Sequence, residues 1–361
     1  MNLFILYVII MANRYFLSWN RNTSANRSTT SWWAWGAWIP TSSDDVFFDN
    51  NSWNCTQNAT TATCRNINFT GYTNTVTTNA WTTINILGSF TGAPTATITW
   101  AGWNIQFTAT SWSYNVDINW IVINHNMVFW PVAASTAVWD MVSGFNCTVS
   151  TYSVSIGWWR LNFNNHTHNV GGIFVSFNTN TRTVDFGTST INMYGHMTIA
   201  PITNLTLIAS TCTLNVVWIL ATTVFNMWWQ SWWSIFNKKT TWILNLVTSS
   251  WNLVNTLGWD PNSTTRFSTT SANIINVVNP LLFNWTSWNN CILERIWASW
   301  TWYIDKTTAG AFQIQYATIS NSFANDVSTF YANNSTDSGW NTNWIFWPAS
   351  ITWQISKVFF M

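Results

Sequence analysis

A short pattern recurs along this chain: an apolar residue, a small polar one, then another apolar residue. It stands at Ile67-Asn68-Phe69, Ile84-Asn85-Ile86, Val116-Asp117-Ile118 and Trp139-Asp140-Met141. It continues at Leu161-Asn162-Phe163, Val184-Asp185-Phe186 and Leu205-Thr206-Leu207. Period-two alternation marks strands with one face buried. From Asp117 onward the polar centres step by 23, 22, 23 and 21 residues. A near-constant step of that size, with turn residues between strands, is the signature of a solenoid. The predicted fold is therefore all-β: a parallel β-helix, or β-solenoid, with coils of about 22 residues. A β-sandwich or another all-β repeat is the alternative, because short strands punctuated by turns also suit those folds. The regularity of the step favours the solenoid.

Such a fold turns sharply several times per coil, and sharp turns call for glycine. The chain has only 14 glycines but 32 tryptophans. Many tryptophans sit in turn-like contexts: SWWAWGAWIP (residues 31–40), MWWQSWWS (227–234) and DSGWNTN (337–343). There an indole gains little burial and obstructs the turn that glycine would make easily. Together the two residues make about 13% of the chain, which suits a turn-rich β protein; average glycine usage is roughly 7%. We therefore expect most of these tryptophans to be glycines whose UGA codons are written as tryptophan under a different code table. Trp139, Trp302 and Trp344 sit in strand-like apolar patterns and are expected to be tryptophan.

Charged residues make up 6% of the chain, 12 basic against 11 acidic. That leaves no basic stripe for phosphates and argues against nucleic-acid binding. The polar content is instead Asn, Thr and Ser, which suit turns and stacked ladders. No run of 18 or more apolar residues suggests a membrane span. The five cysteines (Cys55, Cys64, Cys147, Cys212, Cys291) show no metal-ligand spacing and read as isolated buried thiols. Cys55 and Cys64 could alternatively close a small disulfide loop.

Residues 1–10 (MNLFILYVII) read as an upstream extension or a weak signal, with Met11 as a natural start. Residues 11–40 are expected to form an N-terminal cap over the first coil. Solenoid repeats are expected over 41–346, irregular near 231–273, and a C-terminal tail over 347–361.

With glycine at the suspect positions, residues 29–51 become TTSGGAGGAGIPTSSDDVFFDNN. This resembles the opening of a group of Asn/Thr/Gly-rich repetitive β proteins of bacterial surfaces and phages. Members begin with an Arg-Tyr-aromatic segment (here Arg14-Tyr15-Phe16), then a PTSxDDVxFD motif (Pro40 to Asp49) and a Cys-x-x-(Ile/Leu)-x-Phe strand (Cys64 to Phe69). Their closing motif is similar to Asn334–Phe346, read as NSTDSGGNTNWIF. The resemblance implies an extracellular, cell-surface or virion-associated structural or adhesive protein. Its partners would be cell-surface glycans or other surface or virion proteins, with no cofactor.

Three groups of side chains could carry chemistry. Asp117, Asp140 and Asp185, if equivalent on successive coils, would bring carboxylates about 5 Å apart, the separation of a retaining glycosidase. The plainer reading is a solvent-facing polar ladder, with uncharged Asn162 between two of them. Asp44, Asp45 and Asp49 form the densest acidic cluster and could offer oxygens to calcium, although turn and cap roles are commoner. His166 and His168, two apart, could share a strand face and a metal, but read more simply as surface or turn histidines. The expected function is thus non-enzymatic, and the alternative is a β-helix polysaccharide lyase or glycoside hydrolase.

Overall fold

In the computed structural model, residues 40–217 are described except 58–60, 79–82, 101–103, 124, 131–135, 176–179, 200–202 and 210. Beyond 217 the description covers chiefly the strands up to Trp347, and before 40 only the strands Asn13–Phe16 and Arg27–Ser28. Residues 1–10, the tryptophans of 32–38 and residues 348–361 lie outside the described residues. No helix occurs among those described.

The protein is a β-solenoid of stacked parallel strands, and it divides into two compact units. The first comprises Met1–Tyr194 with Ile199–Ser210, and the second Gly195–Thr198 with Thr211–Met361.

In the first unit one face runs through Asp45–Phe47, Ile67–Asn68, Phe90–Thr91, Ser113–Asp117, Val138–Met141, Trp159–Asn162, Arg182–Asp185 and Leu205–Ile208, each paired in parallel with the next. Its edge is covered by Asn13–Phe16, parallel to Asp45–Phe47, and by Arg27–Ser28, antiparallel to Asn13–Phe16. A second face runs through Thr61–Cys64, Thr83–Ile86, Asn104–Phe107, Asn126–Phe129, Ser153–Ile156 and Gly172–Val175. Shorter parallel sets close the coils: Cys55–Gln57, Thr75–Thr78 and Thr97–Trp100, then Thr167–Val170 with Thr190–Met193.

Alternation along each strand decides what is inside. Patterns such as Thr83-Ile84-Asn85-Ile86 bury every second side chain, so the interior is a column of apolar residues. Aromatic rings meet from coil to coil: Phe48 stacks on Phe69 at 4.8 Å and Phe107 on Phe129 at 4.6 Å, and Phe163 lies tilted against Phe186 at 4.6 Å between centroids. Such pairs add about 0.5–1.5 kcal/mol each beyond burial. Trp139, fully buried, sets its edge against Phe107 and Phe129.

The Asn, Thr and Ser content finds its use at the corners. Ser89 N–H donates to Asn66 Oδ1 (2.7 Å), Asn119 N–H to Ser143 Oγ (2.8 Å) and Asn164 Nδ2 to the Met141 carbonyl (3.0 Å). Asn74 Nδ2 reaches the Ser52 carbonyl (2.8 Å), and Thr188 N–H the Asn165 amide oxygen (2.8 Å). Each bond joins one coil to the next and occupies a backbone group that a turn would otherwise leave to water. Two ordinary glycines mark where the chain passes closest. A Cβ at Gly144 would meet the Thr167 carbonyl oxygen at 1.8 Å, and one at Gly171 the Val149 and Tyr152 carbonyl oxygens at 2.1 and 2.2 Å.

In the second unit the strands Thr222–Asn226, Ile243–Val247, Thr264–Phe267, Cys291–Arg295, Ala317–Ile319 and Thr336–Asp337 pair in parallel. A companion face contains Thr213–Val216, Trp232–Asn237, Asn252–Trp259, Ile275–Val277, Trp302–Lys306 and Ser322–Ala324. The stretch 231–273, whose pattern is weak in the sequence, thus contributes paired strands. Phe312–Gln315, Phe330–Asn333 and Trp344–Trp347 form a last parallel set. Trp302 stacks on Phe267 at 4.2 Å, fully buried, and its indole N–H donates to the Ser320 carbonyl at 2.8 Å.

Candidate functional site

The register of the first face decides which aspartates meet. Asn115 lies opposite Asp140 and Val116 opposite Met141. Asp117 lies instead opposite Thr91 of the preceding coil. The expected alignment of Asp117 with Asp140 is therefore two residues out, and these two carboxylates do not share a rank. The physical reason is simple. A slip of two residues leaves every side chain on the same face, so alternation alone does not detect it. The two middle steps hold: Asp140 pairs with Asn162, and Asn162 with Asp185. Asp185 then pairs with Ile208, not with Thr206. The Ile84-Asn85-Ile86 repeat belongs to the second face.

Asp140 and Asp185 thus stand two strand spacings apart, about 9.6 Å, with Asn162 between them. Asn162 Nδ2 donates to Asp140 Oδ1. Arg160, on the same outward row as Asn162, donates from Nε to Asn162 Oδ1 at 2.6 Å and from Nη2 to Asp185 Oδ2 at 2.8 Å. Gly187 N–H donates to the other Asp185 oxygen at 3.0 Å. The result is a continuous ladder, Asp140–Asn162–Arg160–Asp185, in which each acid has a donor. Arg160 is the residue the sequence reading missed. No motif marks it, and its role depends on an alignment across coils.

The aspartates of 44–49 point in different directions. Asp44 is buried and takes the Thr41 N–H and hydroxyl on Oδ2, both at 2.9 Å. Asp45, next along the strand, faces outward. It receives a bidentate fork from Arg65 and a bond from Asn66 Nδ2 at 2.8 Å; that contact raises the Arg65 pKa. Asp49 Oδ1 accepts from Asn51 N–H (2.9 Å) and Ser52 Oγ (3.1 Å). These carboxylates serve a turn, a coil-to-coil fork and a second turn, and among the described residues no group of three or more metal-ligating side chains converges.

His168 is neither a surface nor a turn histidine. It is fully buried against Phe145 and Phe163. Its Nδ1 accepts the Phe145 N–H at 3.1 Å, and its Nε2 lies 2.9 Å from the Phe163 carbonyl, to which it donates as the Nε2–H tautomer. Burial lowers its pKa to about 4. His166 is only half-buried, with its ring 6.2 Å from that of His168. Both His168 nitrogens are occupied by backbone groups, so it joins coils and is not placed to ligate a metal with His166. Arg182 is buried too, with Nη1 donating to the Asn180 (2.8 Å) and Thr203 (3.1 Å) carbonyls. All five cysteines are buried thiols, so the disulfide between Cys55 and Cys64 is not formed.

Charge is sorted by face. Between residues 40 and 194 every Asp and Arg belongs to the first face or the turns flanking it, and this stretch contains no Glu or Lys. The strands of the second face carry no charged side chain.

Two groups stand out among the described tryptophans. Trp112, Trp120 and Trp340 have φ of 76°, 66° and 58° and are 78%, 77% and 86% exposed. This is the left-handed region that Gly71, Gly187 and Gly339 also occupy, and it is unusual for a bulky residue. Trp139 and Trp302 are fully buried, each against phenylalanines of its own unit. Compared with family models, with curated proteins and with solved structures, the chain matches none of them.

Proposed function

We propose that this protein is a non-enzymatic structural or adhesive β-solenoid, acting outside the cell or on a virion. The observation that carries this reading is the ladder Asp140–Asn162–Arg160–Asp185. Its carboxylates are held by protein donors on an open strand face, an arrangement that fastens coils together. Binding would come from many weak, repeated contacts along a rigid surface, made strong by multivalency. The N-terminal PTSxDDVxFD and C-terminal DSGxNTxWIF motifs support a surface or phage-associated setting. We also propose that the functional polypeptide carries glycine at the left-handed tryptophan positions, in line with UGA recoding. The three exposed indoles at positive φ support this.

A second reading, a polysaccharide-degrading enzyme, is favoured by one feature. Asp140 and Asp185, about 9.6 Å apart with a cation beside them, lie near the upper end of the separation used by inverting glycosidases, about 6.5–9.5 Å. Incubation with a polysaccharide panel separates the two. The structural reading expects no soluble oligosaccharide from the wild-type chain. Oligosaccharide release that disappears in Asp140→Asn would overturn it.

A further inference from the structure

We infer that Arg295, in the second unit, anchors a binding site for a small oxyanion: phosphate, sulfate or a small carboxylate. Arg295 closes the strand Cys291–Arg295, whose alternation turns Cys291, Leu293 and Arg295 inward. Its partner across the ladder is Phe267, fully buried and stacked on Trp302. A guanidinium thus stands in rank with an interior aromatic ring, and Arg295 is only 7% exposed. Its Nε and Nη1 are buried and meet no hydrogen-bond partner among the described residues.

Three observations make an external anion the fitting partner. First, the charge is permanent. Burial lowers the Arg295 pKa, but from so high a value that the group stays protonated at physiological pH. A buried cation left unpaired is strongly destabilising. Second, the described acids of the second unit are engaged elsewhere. Glu294 points outward and accepts from Arg266 Nε at 2.7 Å. Asp305 accepts from the Lys306 N–H at 2.7 Å and from Asn325 Nδ2 at 3.2 Å. Asp337 accepts from the Gly339 N–H at 2.8 Å and from Asn341 Nδ2 at 2.6 Å. Third, a further donor nearby lacks an acceptor. Trp344 Nε1 is buried without one, and its ring lies 6.5 Å from that of Trp302.

Arg182 in the first unit provides the contrast. It is buried as well, but the chain supplies it with the Asn180 and Thr203 carbonyls. At Arg295 the acceptor has to come from outside. The planar guanidinium matches an oxyanion with parallel N–H bonds, and so little exposure suits a small ion better than a side chain of another protein. Trp302 and Trp344 are not among the tryptophans expected to be glycine, so the inference is independent of how UGA is read.

Equilibrium dialysis of the full chain against radiolabelled phosphate, sulfate and acetate tests this, in chloride buffer of fixed ionic strength. At least one of the three is expected to bind saturably, at one equivalent per chain. Arg295→Met, which keeps an unbranched side chain and removes the charge, is expected to abolish binding with unchanged far-ultraviolet circular dichroism. Arg295→Lys keeps a charge without the fork and is expected to bind at least tenfold more weakly. Arg266→Gln, which removes the outward guanidinium of the neighbouring strand, is expected to bind as the wild type does. Saturable binding of none of the three anions would overturn the inference. So would binding that survives Arg295→Met, or a loss in Arg266→Gln as large as that in Arg295→Lys. Should Arg295→Met fail to fold, the comparison of Arg295→Lys with Arg266→Gln decides.

Discussion

At the scale of single residues, backbone geometry separates two kinds of tryptophan that look alike in composition. At Trp112, Trp120 and Trp340 a left-handed backbone carries an exposed indole. Such a conformation costs a non-glycine residue of order 1–2 kcal/mol, and exposure returns little of it. Each of Trp112→Gly, Trp120→Gly and Trp340→Gly is therefore expected to raise stability by about 1 kcal/mol, read from urea denaturation. Trp302→Ala, at a fully buried stacked position, is expected to cost about 3–5 kcal/mol. Equal losses at both kinds of site would contradict this division. The turn composition was legible in the sequence because an indole among Ser, Asn and Gly is out of place. The sign of φ was not, because it depends on how the corner closes.

His168 gives the same scale a pH dependence. Its pKa is lowered to about 4 in the folded protein, by burial, from an ordinary value near 6.5. Folding thus favours the neutral ring. That stability is fully present above pH 6.5 and is lost as pH falls towards 4, by about 3 kcal/mol in all. The stability difference between the wild-type chain and His168→Gln should change over that window and be flat above it. A difference independent of pH between 4 and 7 would show that the ring is not buried as described.

At the scale of strands, the first face shows what alternation can and cannot specify. Which side chains of Val138–Met141 and of Arg160, Leu161 and Asn162 point outward could be read from their period of two, and Asp140 meets Asn162 as the 22-residue step requires. Asp117 was misplaced because a longer connection precedes Val138, and a two-residue shift preserves the inside–outside pattern. Arg160 was invisible for a related reason: its partners are chosen by register, not by neighbours in sequence. The ladder predicts its own sensitivity. Asn162→Asp removes the amide that donates to Asp140 and sets three carboxylates in one rank. Stability at pH 7 should fall by about 1 kcal/mol, and the loss should shrink at high salt. A neutral substitution, or a loss indifferent to salt, would mean that the ladder does not couple adjacent coils.

At the scale of the whole molecule, two things were legible from the outset: strands throughout, and a coil of about 22 residues. Both follow from local patterning repeated many times. What sequence could not show is how charge is distributed around the coil, because a turn of a few residues decides which face a strand joins. In the first unit that distribution yields one face of interlocked acids and guanidinium groups and another whose strands carry no charged side chain. Everything proposed about binding depends on coils stacked in parallel and in register. Spin labels at Thr63→Cys paired in turn with Asn85→Cys, Gln106→Cys, Val128→Cys and Ser155→Cys test that most directly. The account predicts label separations that grow steadily by about 4.8 Å per coil, to about 19 Å for the pair 63 and 155. Separations that fail to increase in that order, as strands shuffled between two sheets of a sandwich would give, would contradict it.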